Sequence, residues 1–426
     1  MLVPADKSIA HRALICSALA MGDATILLRA PGRDVLSTVA ALAALGVQVE
    51  LGRSESTLAV EIRGGTSHWL SGSLARGEAD CGNSGTTMRL LAGALAGGVR
   101  RVVLTGDASL SARPMERVAA PLRRMGAVVE TTGGRPPLTV QGRRPLRALA
   151  HELPVASAQV LGAVALAALA AEGETTIRAP GPTRDHTERM LRGLGAAVAR
   201  EQLDGGGTLT RVAGPAALSA RSMTVPGDFS SAAAWLVAAT LHPDAQVRLP
   251  GVGLNPTRTA LLDVLREMGA DIELTPGPDE AGEPTGELVA RSAGPLRAVT
   301  IGPDRVPALI DELPLLAVAM AAADGTSEVC GAAELRVKES DRIAAMAEAL
   351  EAAGAHVEEL PTGWRISRGR PREATITTRG DHRVALAMAV AAWSGVAGSV
   401  VLDDPECVSI SYPSFWADAA GLGTAT

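Results

Sequence analysis

The sequence predicts an α/β protein in two halves, each built from three copies of one strand–helix–strand–helix–strand–strand unit, with helices inside and sheets outside. Three observations carry this. First, six short polar signatures each run straight into an alanine-rich apolar stretch: Lys7-Ser8-Ile9-Ala10-His11-Arg12, Gly82-Asn83-Ser84-Gly85-Thr86-Thr87, Ala156-Ser157-Ala158-Gln159, Gly227-Asp228-Phe229-Ser230-Ser231, Asp311-Glu312-Leu313-Pro314 and Gly380-Asp381-His382-Arg383. They recur at steps of roughly 70–80 residues, the mark of one supersecondary unit used repeatedly. Second, an apolar helix ends in Gly and a strand follows at Gly126, Gly269 and Gly354, with weaker copies at Gly46, Gly195 and Gly423. Third, predicted helices such as Val160–Leu169 are apolar nearly all round, which belongs inside a domain.

The elements follow in order. Each signature is a helix start, where unpaired backbone N–H groups favour a polar cap and an anion. The glycine at the end of the second helix in a unit takes the left-handed cap conformation and hands the chain to a strand. The midpoint falls near Met223–Asp228, where a strand-like run meets Pro226-Gly227. The expected division is residues 6–225 for the first half and residues 1–5 plus 226–426 for the second, with the active site in the cleft between them. Asp204–Gly207 is a tight strand connection. Pro276–Glu287, rich in Pro, Gly and acid, is expected to be a solvated loop.

Composition narrows the function. Aromatic residues make up 2% of the 426-residue chain, so the core rests on Ala, Val, Leu and Ile, and base-stacking surfaces are excluded. A net charge of −6 argues against a polyanion-binding face, so any working positive charge is local. The four cysteines, Cys16, Cys81, Cys330 and Cys407, form no ligand spacing and read as reduced thiols. The N-terminus, Met1-Leu2-Val3-Pro4, has no signal-peptide character, and the longest apolar run, Val160–Ala171, is too short to cross a bilayer. These features imply a cytoplasmic protein with no membrane or nucleic-acid partner.

Chemistry concentrates at the helix starts. Lys7 and Ser8 open one helix and Arg12 lies a turn beyond Ser8 on the same face, so ammonium, hydroxyl and guanidinium are expected to converge on a carboxylate or phosphate. Small residues surround Gly85 and allow close backbone approach to a ligand, without the Lys-Ser/Thr ending of a nucleotide-phosphate loop. Arg113 precedes Pro114, which favours an extended Arg suited to clamping an anion. Glu334–Arg342 is the densest charged stretch. Lys338 and Arg342, four apart, are expected on one helix face, with Glu339 beside them as an acid/base carboxylate.

These stretches together resemble the 5-enolpyruvylshikimate-3-phosphate synthase family over essentially the whole chain. The resemblance rests on Asp6–Arg12, Gly82–Thr86, Gly106–Leu110 with Arg113-Pro114-Met115, Ser157–Gln159, Arg336–Arg342 and Asp381–Arg383. Thr183–Glu188 and Leu254–Thr259 are similar to the bacterial subgroup called class II. The resemblance implies a two-domain inside-out α/β barrel of six βαβαββ repeats. It implies transfer of the enolpyruvyl group of phosphoenolpyruvate to the 5-hydroxyl of shikimate 3-phosphate, with release of phosphate, by addition and elimination through a tetrahedral intermediate. The site residues it implies for shikimate 3-phosphate are Lys7, Ser8, Arg12, Ser157, Ala158, Gln159, Arg184, Asp311 and Lys338. For phosphoenolpyruvate they are Lys7, Gly85, Arg113, Gln159, Arg342 and Arg383, and Asp311, Glu339 and Lys7 are the proton-transfer candidates. A monomer in the shikimate pathway, inhibited by glyphosate in the phosphoenolpyruvate pocket, is the further implication.

The chain departs from the family pattern at a few positions. Ala5 stands where the family usually has Gly, which requires a negative φ there. Ala158 stands where many members have Ser, with Arg184 as the substitute phosphate donor. Ile410 stands where some members have Lys, and Gly85 stands where class II members often have Ala. The rival enzyme reading is an enolpyruvyl transferase acting on UDP-N-acetylglucosamine, which usually carries a reactive loop Cys. The rival of another class is a non-catalytic anion-binding module, which would have no need of both Asp311 and Glu339.

Overall fold

Five of the six signatures cap their helices with a side chain. Asp6, Ser84, Ser157, Asp228 and Asp381 accept from backbone N–H groups at the starts of the helices Lys7–Leu19, Gly85–Ala96, Ala158–Ala168, Phe229–Leu241 and His382–Trp393. The sixth, Glu312, sits at the cap position of Leu313–Ala322 and makes no cap bond. These six helices are buried on nearly every side, as their alanine content demands. Small side chains let them approach closely. A Cβ on Gly93 would lie 2.1 Å from the carbonyl oxygen of Ala163, so only glycine fits where the Gly85 and Ala158 helices cross.

The computed structural model describes residues 1–54, 56–63 and 77–422. Its contacts divide the chain into two units. The N-terminal unit is Ala5–Pro226 with Asp279–Glu283, and the C-terminal unit is Met1–Pro4, Gly227–Pro278 and Pro284–Thr426. The chain therefore passes between units at Pro4/Ala5 and Pro226/Gly227, and also at Pro278/Asp279 and Glu283/Pro284.

Within the N-terminal unit the Lys7, Gly85 and Ala158 helices form the interior, and three sheets enclose them. The C-terminal unit does the same with the Phe229, Leu313 and His382 helices. The recurring sheet pairs the opening strand parallel to the second, then adds the last two antiparallel. Glu78–Asp80, Arg101–Thr105, Arg135–Gln141 and Val128–Thr132 follow this order, as do Thr300–Ile301, Thr326–Val329, Gly363–Ser367 and His356–Leu360. The first copy takes its opening strand, Met223–Thr224, from the end of the same unit. The sixth copy is shorter. Among the described residues it pairs only Ala374–Ile376 with Val400–Leu402, and Phe415–Leu422 forms its last helix.

Two further regularities mark the repeat. Gly46, Gly126, Gly195, Gly269 and Gly354 all have positive φ, while Gly423 lies outside the described residues. Arg123, Arg192 and Arg266 each precede that glycine by one turn and donate Nε–H to the carbonyl of the strand beyond, at Val129, Val198 and Ile272. On the outer sheet faces an Arg of the central strand is clamped by carboxylates, as Arg365 is by Glu328 and Glu358, and Arg211 by Glu174 and Glu201.

Pro276–Glu287 is not the solvated loop expected from its composition. It lies in a hairpin of Asp271–Glu280 and Glu283–Arg291. Pro276 and Pro278 sit in the edge strand, where a missing N–H costs no ladder bond, and Pro284 lies near the start of the central one. Ala281 and Gly282 turn with φ of 54° and 85°, and Glu283 is fully buried against His186 Nδ1 at 2.8 Å. Ala5 has no positive φ, so its methyl is accommodated.

Candidate functional site

The sequence-derived site residues fall into two clusters, one in each unit. In the N-terminal unit the helix starts at Lys7, Gly85 and Ala158 carry them. Lys7 Nζ lies 3.3 Å from Asp34 Oδ2 and remains partly exposed. Arg12 is almost fully buried. Its Nε donates to Thr187 Oγ1 at 2.7 Å and its Nη1 to the carbonyl of Ser8 at 2.8 Å. Lys7, Ser8 and Arg12 therefore do not present three open donors to one point. The Arg12 guanidinium is held by its own turn and by the helix His186–Gly193. Burial pushes its pKa down, against the pull of Glu188.

A buried hydroxyl chain ties the Lys7 and Gly85 helices together. His11 Nδ1 is 2.6 Å from Thr38 Oγ1, Thr38 Oγ1 is 2.6 Å from Thr87 Oγ1, and Thr87 Oγ1 donates to Ser84 Oγ at 2.7 Å. Burial lowers the His11 pKa to about 3, which keeps the imidazole neutral.

Gly85, Arg113 and Gln159 do come together, and they bring in a residue the motifs did not single out. Arg89 Nη1 donates to Gln159 Oε1, and Gln159 Nε2 donates to Thr86 Oγ1 at 2.9 Å. Arg113 Nη2 donates to Asn83 Oδ1 at 2.7 Å, and Asn83 Nδ2 to Asp107 Oδ2 at 2.7 Å. A Cβ on Gly85 would stand 2.9 Å from Arg89 Nη1 and 3.4 Å from Arg113 Nη1. Both guanidiniums are thus held by amide oxygens. Burial, then Arg117 and Arg113, lower the Arg89 pKa to about 9. Arg89, a buried cation facing two further guanidiniums, favours an anion beside it. The sequence signal was available: Arg89 is a charge inside an apolar helix, one turn beyond Gly85. Ser157 caps its helix at Val160 N, Ala158 is the half-buried first residue, and Arg184 is half-buried ahead of the His186 helix.

In the C-terminal unit the helix starts at Leu313, Arg342 and His382 carry the cluster. Lys338 and Arg342 do not share a helix face. Ala333–Val337 is a 3₁₀ turn, and Asp341 caps a helix that begins only at Arg342, so the four-residue spacing spans a break. Lys338 Nζ instead reaches Glu334 Oε1 at 2.7 Å. Arg342 is fully buried. Its Nε donates to Asp381 Oδ2 at 2.8 Å, its Nη2 to Glu339 Oε2, and its Nη1 lies 3.8 Å from Asp311 Oδ1. Burial alone would depress its pKa. The carboxylates of Glu339, Asp381 and Asp311 outweigh that and raise it. Burial likewise pushes the Asp381 pKa up, and Arg342 more than reverses the effect.

Arg383 Nη1 donates to the Asp311 carbonyl at 2.6 Å, and its Nη2 lies 3.7 Å from Asp311 Oδ2. Asp311, Glu339, Arg342 and Arg383 therefore form one cluster. It has a buried second layer of Asp228, Ser230, Arg258 and Glu312 that sequence reasoning left unassigned. Among the described residues no His, Cys, Asp and Glu group is placed to hold a metal ion, and no helix is long and apolar enough to cross a membrane.

Helices enclosed by six related sheets, with arginines and carboxylates at the helix starts, define a class of enzyme that handles small, multiply charged anions. The known proteins narrow the class. The profile of the EPSP synthase family, 3-phosphoshikimate 1-carboxyvinyltransferase, matches residues 1–418, and the chain belongs to that family. A 3-phosphoshikimate 1-carboxyvinyltransferase from Gloeobacter violaceus is 49% identical over 421 residues, 97% of this chain and 94% of its own. One from a Synechococcus strain is 48% identical over 99% of this chain and 94% of its own. The EPSP synthase of Acinetobacter baumannii superposes with a TM-score of 0.86 at 38% identity, over 99% of this chain and 94% of that one. The enolpyruvyl transferase NikO of Streptomyces tendae shares the fold, with a TM-score of 0.75 at 19% identity over 99% of this chain and 94% of its own.

Proposed function

We propose that the two clusters supply the binding and proton-transfer groups for one reaction. As a member of its family the chain is an enolpyruvyl transferase of the shikimate pathway, moving the enolpyruvyl group of phosphoenolpyruvate to shikimate 3-phosphate. What supports the residue assignment is that amide-held guanidiniums in one unit and a carboxylate–guanidinium cluster in the other occupy the family's motif positions.

The physics follows from charge. Both substrates are multiply anionic, and bringing them together costs repulsion that Lys7, Arg113, Lys338, Arg342 and Arg383 offset. Lys7, Ser8, Arg12, Ser157, Ala158, Gln159, Arg184, Asp311 and Lys338 take shikimate 3-phosphate. Lys7, Gly85, Arg113, Gln159, Arg342 and Arg383 take phosphoenolpyruvate. One carboxylate of the pair Asp311 and Glu339 accepts the 5-hydroxyl proton as oxygen attacks C2, and an acid among Asp311, Glu339 and Lys7 protonates the methylene carbon. The tetrahedral adduct then gives up a proton from the new methyl group to a carboxylate of the same pair as the C2–O bond to phosphate breaks, which restores the double bond in the enolpyruvyl product. Arginines aimed where charge develops act best with water excluded.

The reading extends to a monomeric cytoplasmic enzyme without metal or organic cofactor. The test is phosphate release from phosphoenolpyruvate on addition of shikimate 3-phosphate. Release only when UDP-N-acetylglucosamine is the acceptor would replace this reading with the rival transferase, and no release with either acceptor would leave the anion-binding module.

A further inference from the structure

The signature Gly227-Asp228-Phe229-Ser230-Ser231 opens an inner helix like the others, yet none of its residues has a part in the proposed reaction. Ser230 is the centre of a buried polar knot. Its Oγ accepts from Arg258 Nη2 at 2.7 Å and faces Arg383 Nη2 at 3.4 Å, and it donates its own hydrogen to Glu312 Oε1. Two accepted bonds and one donated bond use the full capacity of a hydroxyl. Arg258 is held further by Asp228 Oδ1 at 3.3 Å. Ser230, Arg258 and Glu312 are all at least nine-tenths buried, and Glu312 is 0% exposed.

Glu312 is placed unusually. It occupies a cap position where Ser, Thr, Asp or Asn would serve its own helix, and it caps nothing. Its carboxylate turns instead to the neighbouring inner helix, with Oε1 4.0 Å from Arg383 Nη1. Oε2 meets no hydrogen-bond donor among the described residues. Arg383 meanwhile is anchored to the Asp311 carbonyl at 2.6 Å. A buried carboxylate at the outer edge of ion-pair distance from a guanidinium competes for it, because an ion pair in a dry site is far stronger than one in water.

We propose that Ser230 is a positioning residue for Arg383: by satisfying Glu312 it stops that carboxylate from drawing Arg383 away from Asp311. This rests on the reading of Arg383 as a phosphoenolpyruvate-binding residue. Without the hydroxyl, Glu312 loses its donor and Arg383 swings the short distance into a direct pair. The anion-binding face of the guanidinium then turns from its substrate.

The relay makes a non-additive prediction. Ser230→Ala raises the KM for phosphoenolpyruvate about tenfold, the scale of one charged hydrogen bond. The KM for shikimate 3-phosphate stays within about twofold. Glu312→Gln alone, which still accepts from Ser230, changes the phosphoenolpyruvate KM by no more than about threefold. The double variant Ser230→Ala/Glu312→Gln returns that KM to within about threefold of the parent, because the competing charge is gone. Damage to packing would add instead of cancelling. A Ser230→Ala enzyme with unchanged KM, with both KM values raised equally, or with a KM worsened by the second substitution overturns the relay. Arg383→Lys separates the two ideas. If its phosphoenolpyruvate KM is unchanged, the anion-binding assignment falls and the relay with it. If that KM rises while Ser230→Ala is silent, the relay alone falls.

Discussion

The two units use the same strand–helix–strand block to hold arginines in opposite electrostatic states. In the N-terminal unit Arg89 and Arg113 rest on the amide oxygens of Gln159 and Asn83, and no carboxylate among the described residues pairs with either. In the C-terminal unit Arg342 and Arg383 rest on Asp381, Glu339 and Asp311. An amide orients a guanidinium without neutralising it, so the first cluster keeps net positive charge for an anion. A carboxylate orients and neutralises, so the second cluster offers groups that exchange protons. The interiors differ as well. Trp235 and Trp393 stack at 5.7 Å beside Phe415, Trp416 and Tyr412 in the C-terminal unit, whereas the buried core of the N-terminal unit is aliphatic.

The comparison breaks most visibly at the arginines. Arg342→Met leaves three carboxylates around a missing cation, so it should abolish turnover and destabilise the chain by about 3–5 kcal/mol, the cost of breaking a buried pair from one side. Arg113→Met removes a cation that no carboxylate requires, and should raise the KM for phosphoenolpyruvate with little change in thermal midpoint. Calorimetry with phosphate-release kinetics checks both. Equal losses of stability would show that amide and carboxylate anchoring are energetically alike.

Acid separates the units next. The folded His11 pKa of about 3 lies below its ordinary 6.5. The unfolded chain therefore binds the extra proton between those values, and the stabilisation present above pH 6.5 is lost as pH falls toward about 3. Asp381 in the C-terminal unit titrates below its ordinary 3.8, and its contribution is lost only below that. Urea unfolding at pH 7, 6, 5 and 4 should show the aliphatic unit weakening first. In a Trp69→Phe variant, far-ultraviolet ellipticity should then change before the fluorescence of the four remaining tryptophans, Trp235, Trp364, Trp393 and Trp416, all in the C-terminal unit. Coincident transitions would mean that the two units unfold as one.

Gly85→Ala sharpens the account of the positive cluster. The new methyl meets Arg89 Nη1 at 2.9 Å, the end of a flexible side chain, so the fold survives and the guanidinium moves. Glyphosate, slightly longer than phosphoenolpyruvate, should lose about tenfold or more in affinity, the scale of an overpacked contact, while the substrate KM rises less. A parent enzyme already tolerant of glyphosate would show that Gly85 does not control the pocket. The smallest effect belongs to the outer sheets: Arg211→Ala and Arg365→Ala, one in each unit, should leave activity and thermal midpoint nearly unchanged, because exposed ion pairs contribute little.

Local chemistry was legible from the sequence. The helix starts, the left-handed glycines and the buried alanine-rich helices follow from capping, backbone freedom and hydrophobicity, which act within a few residues. The cluster residues Lys7, Gly85, Gln159, Asp311 and Arg383 stood out because each opens such a helix. Local spacing failed where the chain breaks its regularity. Lys338 and Arg342 straddle a helix boundary that Asp341 sets, and the acidic Pro276–Glu287 hairpin is ordered by cross-strand pairing and by Glu283 meeting His186.

What the sequence by itself determined is the repeat and the positions of its polar helix starts, because those depend on neighbours along the chain. Only the tertiary structure decided which guanidinium rests on an amide and which on a carboxylate. Arg89 reaches Gln159 and Ser230 reaches Glu312 across long stretches of chain, and a side chain's charge state is set by what the fold packs against it.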